Sequence, residues 1–404
     1  RFGNGGGLYS FAYFDFEGTV EVRIKSRQRL RDAVIRPLSK KINFEVINDN
    51  EISFKLSSPA NLSIEGERPK DGLLLFANPP CPVPRNKRDP RLVYYGPGIH
   101  RPGVIRLKSN QVLYIDGGAI VKAGIVVEGR NVIIAGRGII DGSFCNWPNN
   151  PAKERGFINI VNSSGVKMSG VIVRASPCWT IVPMHSSNIS FSNIKICNSR
   201  VENDDGIDPC NSQRIVVDNC FFRTDDDCMA FKGWAYPEKG SANSNVENIT
   251  VKRSVFWCDR ARIFLLGHES RAKYMRNITF QDNDIIHFAM PAFLLEPGED
   301  MVLKDITCDN IRINGEEQHD LLRLRPLVIP EYMQNKVPGH VSNITFSNIT
   351  LTGKPGAYQL QLFGADEKHL VNGVLFRNVV IYGNEIVQGS PYIKTNEHVK
   401  GIRF

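Results

Sequence analysis

The second half of the chain repeats one short phrase, a turn-tolerant polar residue followed by alternating apolar and polar side chains. It reads Asn188-Ile189-Ser190-Phe191, Arg214-Ile215-Val216-Val217, Asn248-Ile249-Thr250-Val251 and Asn277-Ile278-Thr279-Phe280. It continues as Asp305-Ile306-Thr307-Cys308, Asn343-Ile344-Thr345-Phe346 and Gly373-Val374-Leu375-Phe376, with weaker copies starting at Val132 and Val166. From Ile189 onward the central Ile or Val returns after 26, 34, 29, 28, 38 and 30 residues. The period of two inside each phrase belongs to a β-strand, and no helical period accompanies it. Returns of this length mark a solenoid of β-coils. The pattern predicts an all-β fold, a right-handed parallel β-helix whose like residues stack in interior columns. The longer intervals predict loop insertions, at Trp234 to Asn245 and at Glu316 to Val341. Coiling also hides strand edges everywhere except at the two ends.

Residues 1 to about 85 carry a different pattern. Phe14 to Ile24, Ile42 to Val46 and Glu51 to Leu56 alternate cleanly between polar turns, which predicts short antiparallel strands in a small N-terminal β-sandwich. Pro79-Pro80-Cys81-Pro82-Val83-Pro84 reads as a stiff linker. The expected division is therefore a sandwich over 1–85 and a β-helix over 90–404, with coils starting near Tyr95-Gly96-Pro97-Gly98.

Composition narrows the partners. With 42% hydrophobic and 23% charged residues among 404, the chain is that of a globular protein. No apolar run is long enough to cross a bilayer, so membrane insertion is not expected. The net charge of +8 suits either a solvated basic surface or attraction to an anionic polymer such as an acidic polysaccharide. Lys and Arg form no runs interleaved with aromatics, which speaks against nucleic acid. The chain begins at Arg1 without Met or an apolar leader, and we expect a secreted or periplasmic protein whose signal peptide has been removed. Its nine cysteines include no C-x-x-C pair or Cys/His metal spacing. Cys197, Cys220, Cys228 and Cys258 lie among apolar residues and read as buried thiols, while one or two bridges stay open, with Cys145 and Cys178 as candidates. Asn-x-Ser/Thr at Asn248, Asn277, Asn343 and Asn348 is formally a glycosylation signal. Its fixed place in the repeat fits better an Asn at a coil corner, in a left-handed conformation and laddered to its neighbours.

Chemistry concentrates in two acidic clusters, Asn203-Asp204-Asp205-Gly206-Ile207-Asp208 and Thr224-Asp225-Asp226-Asp227-Cys228. Asp205 and Asp226 are 21 residues apart, one coil, so the clusters should stack on neighbouring turns. Crowded like charges are costly and point to an active site. Glycosidic hydrolysis needs one carboxylic acid to protonate the leaving oxygen and a carboxylate to activate water. Neighbouring anions help by keeping one member protonated. Asp226 and Asp227 cannot both face a cleft from a regular strand, so a bulge or corner is expected there. The plainer alternative is a Ca²⁺ site or corner hydrogen bonding.

Those motifs carry a resemblance. Asn203-Asp204-Asp205-Gly206-Ile207-Asp208 is similar to the Asn-x-Asp-Gly-Ile-Asp motif of polygalacturonases, glycoside hydrolase family 28, and Asp226-Asp227-Cys228 to their Asp-Asp-Cys. Ser176-Pro177-Cys178-Trp179-Thr180-Ile181 resembles the preceding turn of that family. The resemblance implies an inverting hydrolase with no metal or cofactor, Asp226 as general acid, and Asp205 with Asp227 orienting and deprotonating water. Where that family has Gly-His-Gly and Arg-Ile-Lys, this chain has Ala261-Arg262-Ile263 and Phe293-Leu294-Leu295-Glu296, which argues against galacturonate in the central subsite. The second family of the clan, the dextranases and isopullulanases of family 49, has an N-terminal sandwich and lacks both motifs. Its post-catalytic coil resembles the run from Leu266-Gly267-His268-Glu269-Ser270-Arg271 to Ile285-Ile286-His287, and its sandwich Ile35-Arg36-Pro37-Leu38-Ser39 with Leu75-Phe76-Ala77-Asn78-Pro79.

The expected substrate-binding set around the carboxylates is Asn203, Asp208, Lys232, Trp234, Tyr236, Arg262, His268, Glu269 and Glu296. Trp234 and Tyr236 would offer stacking faces for sugar rings, and Lys232 would bind a hydroxyl or carboxylate. Trp179 fits core packing better, and Asp208 and Asp225 suit cleft and corner equally. The expected partner is a polysaccharide or oligosaccharide. Readings of other classes are a polysaccharide lyase and a non-catalytic carbohydrate-binding β-helix.

Overall fold

The computed structural model describes residues 9–146, 156–199, 201–233, 245–331 and 333–404. From Leu92 to Arg403 the chain winds into parallel coils. The repeat phrase sets the register: Ile189 pairs with Ile215, Ile215 with Ile249, Ile249 with Ile278, Ile278 with Ile306, Ile306 with Ile344 and Ile344 with Val374. Each member of this column is at most 2% exposed. A parallel ladder at about 4.8 Å per strand places each side chain directly on its equivalent in the next coil.

The polar residue ahead of each column member turns the corner. Asn188, Arg214, Asn248, Asn277, Asp305 and Asn343 have φ between 54° and 59°, and Gly373 has φ 73°. Only Gly and, among L-residues, chiefly Asn and Asp enter this region at low cost. Asn277 Nδ2 donates to Asn248 Oδ1 at 3.1 Å and Asn343 Nδ2 to Asp305 Oδ1 at 2.6 Å. The amide nitrogens of Asn277 and Asn343, which would carry sugar, are thus donors in a corner ladder.

The strands of residues 10–78 form two small sheets. One runs Ser10–Asp15, Leu73–Asn78, Ala60–Glu65, Val34–Arg36, and the other Val20–Lys25, Glu51–Leu56, Glu45–Asn48. Val22, Ile24, Phe54, Leu62, Ile64 and Leu75 share a core between them. The alternation from Phe14 to Ile24 is two strands, one per sheet, separated by a turn at Gly18 (φ 74°). One expectation is corrected: Ser10–Asp15 pairs parallel, not antiparallel, with Leu73–Asn78. These two strands are joined by the whole intervening chain, so no hairpin dictates their direction.

This unit docks on the flank of the coils through Leu74 and Phe76, which pack against Ile172, Phe221, Trp257 and Ile286. Polar groups fix the contact. Arg223 and Asp259, both fully buried, pair at 3.0 Å, and the guanidinium lies 4.0 and 3.9 Å from the rings of Tyr9 and Trp257. Asp259 also accepts from Trp257 Nε1 at 2.9 Å and Ser199 Oγ at 2.6 Å. His287 bridges Glu65 of the N-terminal unit at 2.9 Å and Glu316 of the coils at 2.6 Å.

The cysteines form no disulfide. The candidate bridge is therefore corrected: Cys145 Sγ donates to Gly142 O at 3.5 Å and Cys178 Sγ to Trp179 O at 3.8 Å. Both thiols are buried, like those of Cys197, Cys220, Cys228 and Cys258.

Asp259→Ala would leave Arg223 buried without its counter-charge, and a loss of about 3–5 kcal/mol is expected. A urea unfolding midpoint equal to that of the unsubstituted protein would contradict this.

Candidate active site

The two acidic segments lead into neighbouring coils of one face. Gly206 N donates to Asp227 O at 2.9 Å and Ile207 N to Cys228 O at 3.1 Å, while Cys228 N donates to Arg262 O at 3.0 Å. Asp205, Asp227 and Arg262 thereby occupy the same position on three successive coils. Gly206 makes the close approach possible, because a Cβ there would lie 2.3 Å from Cys228 O and 2.8 Å from Phe222 Cδ1. Asp225 to Asp227 form a bend between Phe221–Thr224 and Met229–Phe231, which frees consecutive side chains from strand alternation. Asp204, buried one coil below, holds that bend by accepting from Asp225 N at 2.7 Å.

One carboxylate oxygen each from Asp205, Asp226 and Asp227 lies within 4.8 Å of the others. Side-chain exposure is 3% for Asp205 and Asp227 but 16% for Asp226. Asp227 Oδ1 accepts from Arg262 N at 2.9 Å and Oδ2 from Arg262 Nη2 at 3.0 Å. Asp226 Oδ2 accepts from Arg260 Nη2 at 3.1 Å, and Arg260 Nε reaches Asp225 Oδ2 at 2.9 Å. Asp205 Oδ1 has no donor among the described residues.

Burial, then the neighbouring Asp208, pushes the Asp205 carboxyl well above the usual carboxylate range. Burial also raises Asp227, to about 6; Arg262 opposes the shift and Asp226 adds to it. The cluster as a unit thus keeps a proton near neutral pH. Oxygen-rich clusters of this kind can also hold a hard divalent cation, and these three carboxylates are the residues here that would do so.

Beside the cluster opens a cavity of about 350 Å³ lined by Trp179, Glu202, Asn203, the three Asp residues, Lys232, Arg262, Leu265, His268 and Glu269, with Pro177 and Cys178. Asn203 is exposed on its rim, at a corner with φ 61°. Lys232 Nζ sits 3.8 Å from the Trp179 ring centroid, 3.3 Å from Glu269 Oε2 and 4.0 Å from Asp205 Oδ2. Burial pulls this ammonium down, but Asp205, Asp208 and Glu269 outweigh it and the net shift is upward. Lys232 is therefore a committed counter-charge for the carboxylates. Arg262, with both its backbone and guanidinium on Asp227, is likewise committed.

Two sequence-derived contacts are corrected. Asp208 is fully buried and does not line the cavity; it acts on the cleft through the charge of Lys232. Glu296, 3% exposed, lies behind the lining, paired with Arg325 Nε at 2.8 Å and His268 Nδ1 at 3.3 Å. Neither side chain reaches the cavity lining, so neither meets an incoming sugar directly. Trp234 and Tyr236 lie outside the described residues. Asp204 and Arg260 were absent from the sequence-derived set; Arg260 precedes Arg262 by two positions, and its spacing on the same face was the available signal. Trp179, expected in the core, both packs there and faces the cavity.

The model of glycosyl hydrolases family 28 matches residues 119–254. That segment contains all three clustered aspartates and Lys232 and ends before Arg262. A putative galacturan 1,4-alpha-galacturonidase C of Aspergillus niger is 28% identical over 148 residues, 32% of this chain and 33% of the relative. A probable exopolygalacturonase B of Aspergillus terreus is 24% identical over 261 residues, 56% of each. The chain thus spans between a third and about half the length of these curated relatives. In shape it is similar to Dex49A from Penicillium minioluteum, with TM-score 0.70 at 15% identity over 97% of this chain and 83% of the other. The family 28 exopolygalacturonase of Yersinia enterocolitica gives TM-score 0.53 at 14% identity over 87% and 85%. These matches support the polygalacturonase/dextranase clan. The clan's family 28 signature stops at the coil where Arg262 enters, and the structural likeness to Dex49A continues across nearly the whole chain, N-terminal unit included.

A carboxyl whose folded-state pKa is raised stabilises the fold below its ordinary pKa and loses that contribution as pH rises through the raised value. For Asp205 and Asp227 the loss starts near 3.8, and for Asp227 it passes through about 6. Asp205→Asn should therefore melt above the unsubstituted protein at pH 8, with the gap closing by pH 4. A variant destabilised equally at both pH values would contradict this.

Proposed function

We propose that this protein is an inverting glycoside hydrolase acting on a neutral polysaccharide, with Asp226 as general acid and Asp205 and Asp227 as the groups that hold and deprotonate water. The single observation that carries the roles is access: of three carboxylates packed together, only Asp226 has a partly exposed side chain. A buried nucleophile clamped by a guanidinium, as Asp227 is, makes a poor partner for covalent attack on a sugar. Water held by Asp205 and Asp227 attacks the anomeric carbon instead, the glycosidic C–O bond breaks, and Asp226 protonates the leaving oxygen. Asp226, the most exposed of the three to a sugar entering the cavity, is the member placed to pass the proton to the leaving oxygen. The oxygens lie closer than the roughly 6.5–9.5 Å of widely separated inverting pairs, so the stereochemistry rests on access rather than on spacing.

Charge supports the neutral substrate. The lining carries five carboxylates, of Glu202, Asp205, Asp226, Asp227 and Glu269, against Lys232 and Arg262, both already engaged. A polyuronide would enter against that excess. The similarity to exopolygalacturonases favours a second reading, hydrolysis of a pectic chain, in which Arg262 or His268 would take the uronate.

Dextran, pullulan and polygalacturonate should be digested side by side. The expected result is reducing ends from a neutral glucan at a rate at least about tenfold above that from polygalacturonate, since each 1.36 kcal/mol of barrier is tenfold. The reverse order would establish the pectic reading, and an unsaturated, ultraviolet-absorbing product would establish a lyase. With the substrate so identified, Asp226→Asn should lower kcat by roughly 10²- to 10⁴-fold with an unchanged circular dichroism spectrum. Proton NMR of the first product should show the anomer opposite to the bond cleaved; a retained anomer would exclude the single displacement.

A further inference from the structure

On later coils than the carboxylate cluster, a second constellation gathers at one corner. Asp300 lies in the turn between Phe293–Leu295 and Val302–Glu316, His340 opens the strand His340–Lys354, and His369 stands just ahead of Val371–Ile381. These strands are consecutive in the ladder: His340 pairs with Val302, and Val341 with Val371. Each of three successive coils therefore supplies one side chain. One ligand atom of each lies within 4.8 Å of the other two. His340 Nε2 is 2.9 Å from Asp300 Oδ1, and the two imidazole centroids are 4.9 Å apart.

The backbone around these residues is fixed. His340 N donates to Met301 O at 2.8 Å, Glu299 N to Val337 O at 2.7 Å and Asp300 N to Pro338 O at 3.2 Å. His369 has its own support: Nδ1 lies 2.8 Å from Asp366 Oδ2, and Asp366 is held by accepting Lys368 N at 2.8 Å and His369 N at 2.9 Å. With Nδ1–H given to a carboxylate, the lone pair of His369 is on Nε2. A carboxylate behind an imidazole in this way both selects the tautomer and raises the basicity of a metal ligand.

We propose that Asp300, His340 and His369 form a divalent-metal site of the zinc class that ties three successive coils together. Two imidazoles and a carboxylate select Zn²⁺ and its neighbours over Mg²⁺ and Ca²⁺, which prefer oxygen. Bonds of about 2.0–2.1 Å to a tetrahedral ion separate ligand atoms by roughly 3.3 Å, so the Asp300–His340 pair has only to open slightly. The fourth position is left to water. The ion would brace the corner next to the connection 325–339, which produces the longest interval between repeats, and would stabilise the folded state by mass action.

The test is calorimetric titration of EDTA-treated, desalted protein with Zn²⁺. One equivalent should bind, Ca²⁺ should not displace it at the same concentration, and Asp226→Asn should bind Zn²⁺ as the unsubstituted protein does. Asp366→Asn should weaken Zn²⁺ by about 10- to 100-fold, and the double variant His340→Gln/His369→Gln should lose the equivalent. No binding by the unsubstituted protein would overturn the site, as would affinity unchanged in the double variant, or lost in Asp226→Asn.

Discussion

In-register stacking of parallel coils is the constraint on which everything else in this molecule depends. Backbone N–H groups along a coil donate alternately to the next coil and to the one before, and each column residue sits on its equivalent about 4.8 Å away. The column from Ile189 to Val374 and the left-handed corners ahead of it hold that register through intervals as different as 26 and 38 residues. A slip by one residue would turn every column side chain outward. The same register carries Asp205 over Asp227 and Asp227 over Arg262, so like charges are crowded by the ladder that builds the core. The carboxylates cannot relax apart without breaking coil-to-coil hydrogen bonds, and retention of a proton is what relieves them.

Charge in the cleft is graded from buried to exposed. Asp208 forms the lowest level, Asp205 and Asp227 the next with Lys232 beside them, and Asp226 the partly exposed one. Arg262 and Arg260 bind Asp227 and Asp226 from the following coil, and Asp204 fixes the bend from the preceding one. A chain with net charge +8 thus presents an acidic cavity, which means that its basic groups lie elsewhere or are spent on ion pairs. The N-terminal unit takes part in this arrangement at a distance: Asp259, which anchors the buried Arg223, stands one residue before Arg260.

Most of the β-helix was legible because its repeat is a register written into the sequence. Ile189, Ile215, Ile249 and their successors recur in the sequence and pair in the ladder. The convergence of Asp205 with Asp226 and Asp227 followed from one coil of separation. What could not be seen was depth. Asp208 follows an isolated bridge at Ile207 and Glu296 the short strand Phe293–Leu295, positions that alternation alone makes ambiguous, and only packing shows that they are enclosed. The parallel pairing of Ser10–Asp15 with Leu73–Asn78 left no local mark, since no turn joins them. Asp300, His340 and His369 are spread over 70 residues and meet only because their coils do. Cys145 and Cys178 invited a bridge by being odd members of a large set, while burial made them small apolar fillers.

Coil register thus forces three carboxylates to share a proton near neutral pH. The most direct measurement is a ¹³C NMR titration of the aspartate carboxyls in the free protein. At least one carboxyl of the Asp205, Asp226 and Asp227 group should titrate near or above the value of about 6 given by burial at Asp227, and its midpoint should fall when Asp205 is replaced by Asn. If all three instead ionise near the ordinary aspartate value of about 3.9, the cluster holds no proton and the assignment of acid and base roles within it fails.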